Sequence, residues 1–367
     1  MKRLLLTVLL LLPVAAPASA ADYLFYAGTY TDGGSKGIYA WRFHSGDGNL
    51  TPLGLAAETA EPAHIWIAPD GNTLYAVNWV NPGTVSAYAV DHHSGKLALL
   101  NKVSAHGIHP NQVVVDPSGR VAVTVNYVSG SLAAYRIEPD GKLAPAFYTE
   151  ADRGKPLSSQ PGPEQHGIQF THDSKFMFIT DLGLDRIYSY RLDTARPSLA
   201  PLEPPYIQLP AGSGPRRMQL SADGKYLYVN HETDAKVEVF AVNGGRLTPL
   251  QTASTLAPGY EGENMTAEIL LSADGRHLYV SNRGQDSITI FAVNPTNGHV
   301  TQLKNVPAGK SPRNIRFSPG GDYLFSANQE GNSITEFKVD KKTGALTPTG
   351  VVLPISQPAG MYFTGAR

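Results

Sequence analysis

The sequence predicts an all-β protein, a seven-bladed β-propeller of four-stranded blades whose ring closes by pairing the C-terminal strand with the N-terminal blade. Two observations carry this expectation. A small polar segment, then Asp-Gly or a relative, then an alternating apolar strand recurs six times, from Ala68, Asp116, Thr171, Ser221, Ser272 and Ser318. Successive copies, such as SADGKYLYVNHE and SADGRHLYVSNR, lie roughly 50 residues apart, and a period of that length built from strands means a propeller. The other observation is a seventh innermost strand, QPAGMYF from Gln357, which stands alone at the C-terminus.

Each unit divides by pattern. Residues 66 to 100 alternate apolar and polar side chains in short runs separated by the turn signals PDG, NPG and HSG. Three turns imply four strands. The third strand repeats as TVSAYAV, SLAAYRI, RIYSYRL, KVEVFAV, SITIFAV and SITEFKV. No helical period interrupts these β-branched and aromatic runs. The N-terminal YLFYAGTY, GIYAWRF and NLTPLGL supply the strands that QPAGMYF lacks. Closure across the termini removes the open sheet edges that invite aggregation.

The chain begins with Lys2 and Arg3, an apolar run LLLTVLLLLPVAA, and Ala18-Ser19-Ala20 before Ala21. That is the charge, core and small-residue pattern of a secretory signal, so residues 1–20 are expected to be cut after Ala20 and 21–367 to form one propeller domain, periplasmic or secreted. No other stretch suits a membrane span. Cysteine is absent, which excludes disulfides and thiolate metal sites. With 30 Lys and Arg against 31 Asp and Glu, the chain has no electrostatic footprint for nucleic acid. A monomer acting on a small molecule is the expectation.

Aligning the innermost strands on their Asp-Gly turns gives EPAHIWI, HPNQVVV, EQHGIQF, GPRRMQL, MTAEILL, SPRNIRF and QPAGMYF. Their third and fourth positions are variable and mostly polar, including His64, Asn111, Gln112, His166, Arg216, Arg217, Glu268, Arg313 and Asn314. The second strand returns beside them and ends in Asn78-Trp79, Asn126-Tyr127, Asp181-Leu182, His231-Glu232, Asn282-Arg283 and Asn328-Gln329. Both sets converge at one mouth of the central channel, a concave polar place for a ligand. The recurring Asn has a plainer role in bonding a neighbouring turn, as the Asp of Asp-Gly has in its own. His64, Gln112 and Asn314 divide evenly between channel packing and contact. His166, Arg216, Glu232, Glu268, Arg283 and Arg313 break the repeat with charge or imidazole, which is costly in a narrow channel without a function.

Competing motifs fall away. Gly33-Gly34-Ser35-Lys36-Gly37 spells a nucleophile elbow but lies between two strands with no following helix. His92-His93 sits in an outer hairpin turn, and several Arg argue against a calcium ion in the channel. No metal or cofactor is expected.

On HGIQF with DLGLDRIYSY, GPRRM, AEILLSADGRHLYVSNRGQDSI and SPRNIRFSPGGDYLFSANQ, the chain resembles the seven-bladed propeller lactonases. That family includes the cycloisomerase-type 6-phosphogluconolactonases and the fungal carboxy-cis,cis-muconate cyclase. The resemblance covers essentially the whole chain after the leader and implies a metal-free site of His, Arg and Glu. By matching motif, a catalytic set falls on His166, Arg216, Glu232 and one of Arg283 or Arg313. His64, Asn111, Asp181, Arg217, Glu268, Asn314 and Gln329 are the candidates for binding substrate. Two departures stand out: Arg216-Arg217 where many relatives read Arg-His, and His231-Glu232 where they read Asn-Glu.

Opening a lactone needs a base to activate water and a positive donor where the carbonyl oxygen gains charge. His166 or Glu232 suits the first role, and Arg216 with Arg313 or Arg283 the second. The implied activity is hydrolysis of a sugar lactone or a related acidic lactone. Because a phosphorylated sugar lactone belongs to the cytoplasm, an exported chain suits an unphosphorylated or acidic one. The alternatives are a non-catalytic propeller that binds a carbohydrate, peptide or envelope component, and a muconate-type cycloisomerase.

Overall fold

In the computed structural model, which describes residues 21–157 and 162–365, the 28 strands are numbered in chain order from β1 (Asp22–Thr29) to β28 (Pro358–Phe363). The expected leader lies outside the described residues. The strands form seven antiparallel four-stranded sheets. Six are built from consecutive strands, and the seventh has the order β28-β1-β2-β3, where β2 is Gly37–His44 and β3 is Leu50–Glu58. The two termini therefore share a blade, with Phe25 opposite Phe363 and Gly28 opposite Gly360.

The core lies between the faces of neighbouring blades. At the closure, Phe25, Phe43, Phe325 and Phe363 are buried together, and Phe25 stacks on Phe363 at 4.5 Å between centroids. Each such ring contributes about 1.5–3 kcal/mol by leaving water, so the closing blade is held by packing as well as by its ladder. The Asp-Gly turns act as turns. The amides of Asn72, Lys175, Lys225 and Arg276 donate to the carboxylates of Asp70, Asp173, Asp223 and Asp274. The following residue is left-handed, with φ of 73° at Gly71, 71° at Gly224 and 70° at Gly275, which is why glycine recurs there.

The innermost strands line the channel: β4 (His64–Ile67), β8 (Pro110–Val115), β12 (Gln165–Phe170), β16 (Pro215–Leu220), β20 (Met265–Leu271), β24 (Pro312–Phe317) and β28. Each of β8, β12, β16, β20, β24 and β28 carries a register break near its start. Gln165 pairs with Asp181 and Gly167 with Thr180, leaving His166 unmatched; Arg313 is skipped in the same way between Pro312 and Asn314. A bulge bends the strand and re-aims its extra side chain. The irregularity thus falls at the third position of the aligned strands, and in β16 and β20 it takes in the fourth as well.

Candidate active site

The third position of three innermost strands supplies His166, Arg216 and Arg313 to one cavity of about 540 Å³. Glu232, Arg283 and Gln329 join them. Each of these three comes just after the recurring Asn-like residue at the end of β17 (Tyr226–His231), β21 (His277–Arg283) or β25 (Tyr323–Asn328). The two residues of each pair divide their work. Asn78 donates to Thr59 Oγ1 and the carbonyl of Ala60, and Asn126 donates to Ser131 Oγ, whereas the next residues, Trp79 and Tyr127, line the cavity.

Charge is concentrated on one arrangement. Oε2 of Glu232 lies 2.5 Å from Nε of Arg216 and 2.8 Å from Nη2 of Arg283. Nη1 of Arg216 donates to the carbonyl of Ala267, and Nη2 of Arg283 to that of Thr266. Side-chain exposure of 2% for Arg216 against 17% for Glu232 and 11% for Arg283 places Arg216 at the floor and the other two at the open edge. Burial pushes the Arg216 guanidinium down to about 9, opposed by Glu232. Burial raises the Glu232 carboxyl, but Arg283, Arg216 and Arg313 together outweigh it and hold the group below its ordinary range. Arg313 stands apart from this pair, with Nη2 donating to the hydroxyl of Tyr30 at 2.7 Å.

His166 is buried, and its Nδ1 has no hydrogen-bond partner among the described residues. Burial, reinforced by Arg216, Arg217, Arg313 and Arg283, holds its imidazole well below the usual range, so it is neutral near pH 7. An aromatic wall runs from it: Tyr127 meets His166 edge-on at 5.8 Å, Trp79 lies 5.7 Å from Tyr127, and Tyr30 lies 6.4 Å from Trp79. Asp32, Glu61 and Gln357 complete the rim.

The other sequence candidates lie outside this lining. His64, in the fourth position, accepts from the amide of Val113 in the next blade, and Gln112 does the same for Ile168 at 2.7 Å. Asn314 accepts from the amide of Met361 and donates to Glu268 at 2.6 Å. Arg217 reaches the carbonyls of His166 and Asn111. Asn111 is buried beside them. Fourth-position side chains therefore strap each innermost strand to another. Asp181 takes the place of the recurring Asn; its Oδ1 accepts the amides of Glu164 and Leu184, and burial pushes its carboxyl up to about 7. Among the described residues no group of three His, Cys, Asp or Glu is placed to hold a metal ion.

Tyr30 and Asp32 escaped the sequence reading because they follow β1, whose end was not set beside the other second-strand ends, and Glu61 and Gln357 because they open their aligned strands, of which only the third and fourth positions were weighed. Trp79 and Tyr127 had a visible signal, since they occupy the position of Glu232 and Arg283.

A family profile described as "Lactonase, 7-bladed beta-propeller" matches residues 24–363. The chain belongs to that lactonase family. A 6-phosphogluconolactonase of Bacillus subtilis is 32% identical over 345 residues, covering 90% of this chain and 96% of that one. Another 6-phosphogluconolactonase, from Formosa agariphila, is 30% identical and covers 81% of this chain and 86% of its own. Among solved structures, the periplasmic gluconolactonase of Pseudomonas aeruginosa superimposes with a TM-score of 0.89 at 32% identity, covering 95% of this lactonase-family chain and all of that one. No helix among the described residues is long and apolar enough to cross a membrane.

Proposed function

We propose that the protein is an exported lactonase that hydrolyses an unphosphorylated sugar lactone of the glucono-δ-lactone type. The observation that carries this reading is the junction of a neutral imidazole, His166, with two guanidiniums bridged by Glu232 in one polar cavity. Water attacks the lactone carbonyl carbon while His166 accepts its proton, a role that contributes about 10²- to 10⁴-fold. The carbonyl oxygen takes up negative charge against the guanidiniums, where a preorganised donor contributes about 10²- to 10³-fold. Collapse breaks the ring C–O bond, and the imidazolium returns its proton to the departing alkoxide, giving the open aldonic acid. Glu232 suits the base less well, because its Oε2 already faces both Arg216 and Arg283.

Charge balance favours a substrate without phosphate. Arg216, Arg283 and Arg313 face Glu232, Glu61 and Asp32 in the same lining, so no surplus of cations awaits a dianion. The leader-like residues 1–20 and the periplasmic gluconolactonase neighbour support export.

The test is proton release from glucono-δ-lactone and its 6-phosphate by purified protein. Turnover of the unphosphorylated lactone that is lost in His166→Ala and Arg216→Ala, both still folded, is expected. Unchanged turnover in both variants, or none in the wild type, defeats the proposal.

A further inference from the structure

The internal repeat supplies its own comparison at the residue preceding Glu232. In three blades the second strand ends in an Asn that bonds a hydroxyl at the third position of the next strand. Asn78 accepts from Ser86 in β6 (Thr84–Val90) at 2.8 Å, Asn282 donates to Thr289 in β22 (Ser287–Val293) at 2.8 Å, and Asn328 donates to Thr335 in β26 (Ser333–Val339) at 3.1 Å. In the blade that carries Glu232 both members differ. His231 replaces the Asn and Glu238, in β18 (Lys236–Asn243), replaces the hydroxyl, with Nε2 and Oε2 3.2 Å apart. Nδ1 of the same ring is 3.1 Å from Oδ1 of Asp234.

We infer that His231 is a positioning residue for Glu232, held as an imidazolium between Asp234 and Glu238, and that loss of its proton misaligns the Glu232 pair with Arg216 and Arg283. The inference rests on the lactonase reading above. Its geometry is specific. The His231 side chain is 2% exposed and Glu238 is 8% exposed. A neutral ring that donates from Nδ1 to Asp234 would leave a lone pair on Nε2 facing the Glu238 carboxylate, whereas an imidazolium sets a positive N–H against it at ion-pair distance, without the alignment of a hydrogen bond. The charged groups that face the ring are Asp234 and Glu238, with Lys236 behind Asp234 at 3.0 Å. From the other packed elements, β16 presents Pro215 opposite it and β20 sends the Thr266 hydroxyl to its carbonyl. The next residue, Glu232, is tied by its own amide to the carbonyl of Gly214. A shift at His231 therefore reaches the carboxylate through one peptide unit.

Burial opposes the charged ring, but its hydrogen bond to Asp234 and the negative charge of Asp234 and Glu238 outweigh burial and raise it above the ordinary imidazole value of about 6.5. A raised folded-state value stabilises the fold fully below that ordinary value, and the contribution is lost as pH rises through the folded one.

The experiment compares wild type with the double variant His231→Asn, Glu238→Thr, which installs the neutral pair of the other blades, from pH 6 upward to about 9. Thermal midpoint and kcat on glucono-δ-lactone are read together. Wild type is expected to lose both as pH rises, kcat by about 10- to 10²-fold, the scale of a misplacement of about 1 Å, with KM little changed. The double variant lacks this alkaline limb in both readouts. Should it fail to fold, Glu238→Gln is expected to move the limb to lower pH, because a negative neighbour is gone. An alkaline limb in the thermal midpoint alone, with kcat flat, makes the cluster merely structural and overturns the inference, as does the same kcat limb in wild type and double variant. A wild type that turns over no lactone defeats the lactonase reading and this inference with it, while its thermal limb still decides whether the ring is charged.

Discussion

Glu232 accepts a 2.5 Å hydrogen bond from Nε of Arg216, and the same oxygen faces Arg283. Arg283 lowers the affinity of Arg216 for its proton, and Arg313 that of Arg283, so the carboxylate is what lets these cations crowd one side of the cavity. Glu232→Gln keeps the shape and removes the charge. It is expected to lower kcat/KM by about 10²- to 10³-fold and to cost about 3 kcal/mol of stability, as removal of one partner from a buried ion pair does. Steady-state kinetics and urea unfolding measure the two effects, and a variant with wild-type values in both would make the pair dispensable.

Arg313 differs from Arg216 in having a hydroxyl, not a carboxylate, as its partner at 2.7 Å. Its charge is therefore the one least engaged by protein at the mouth, and it suits a role in holding substrate. Tyr30→Phe should raise KM by about threefold with kcat retained, and Arg313→Ala by about tenfold or more, in line with hydrogen bonds to charged groups. A selective fall in kcat would instead move Arg313 to the oxyanion.

The ring itself was legible because a strand repeat reports on scaffold: the Asp-Gly turns, the third-strand pattern and the lone QPAGMYF each match an observed element. The candidate cavity was legible in part by subtraction: of the six residues that break the repeat with charge or imidazole, His166, Arg216, Glu232, Arg283 and Arg313 line it, whereas Glu268 accepts from Asn314 outside it. What sequence cannot separate is the third position from the fourth. Both are polar and variable, yet a bulge turns Arg313 to the mouth while Asn314 turns to the amide of Met361. A bulge depends on pairing between strands and has no mark of its own in the chain. Asp181 shows the same limit, because it takes the place of the recurring Asn but accepts two amides where Asn78 and Asn126 donate.

Acid should act on stability through His166 and His64, both buried and held well below the ordinary imidazole value by burial and by arginines. In the unfolded chain each binds a proton near pH 6.5, whereas in the fold each resists it. The unfolded state thus binds more protons, and stability falls as pH drops from about 6.5 toward the depressed folded values. The base form of His166 persists over the same range, so kcat/KM on glucono-δ-lactone should show no acid limb centred near pH 6.5. A limb there would mean that the arginines do not hold the ring neutral.

The fourth-position straps predict a separation of stability from turnover. Asn314→Ala removes the acceptor of the Met361 amide and the donor to Oε2 of Glu268, whose other oxygen keeps the amide of Ile269. Leaving a buried group unpaired costs about 1–3 kcal/mol, and here it loosens β24 from β28, next to the ring closure. The thermal midpoint should fall while KM for glucono-δ-lactone stays within about twofold. A large rise in KM with an unchanged midpoint would return Asn314 to the substrate-binding role its polarity first suggested.

Gly167 joins scaffold to site most directly. It holds the fourth position of β12, where other blades carry a strap, and its amide donates to Thr180 Oγ1, which in turn donates to the carbonyl of Arg216. A Cβ on Gly167 would collide with that carbonyl oxygen. The atom cannot yield cheaply, because it is backbone and is fixed by Thr180. Gly167→Ala must therefore push β16 away and carry the Arg216 side chain from Glu232, a displacement of the kind that costs about 10²-fold when it approaches 1 Å. The expected result is a folded protein with kcat reduced to that degree. Thr180→Val, which removes the bridge without adding bulk beside the carbonyl, should have a smaller effect. Equal losses in both variants would assign the effect to the hydrogen bonds and not to the close approach.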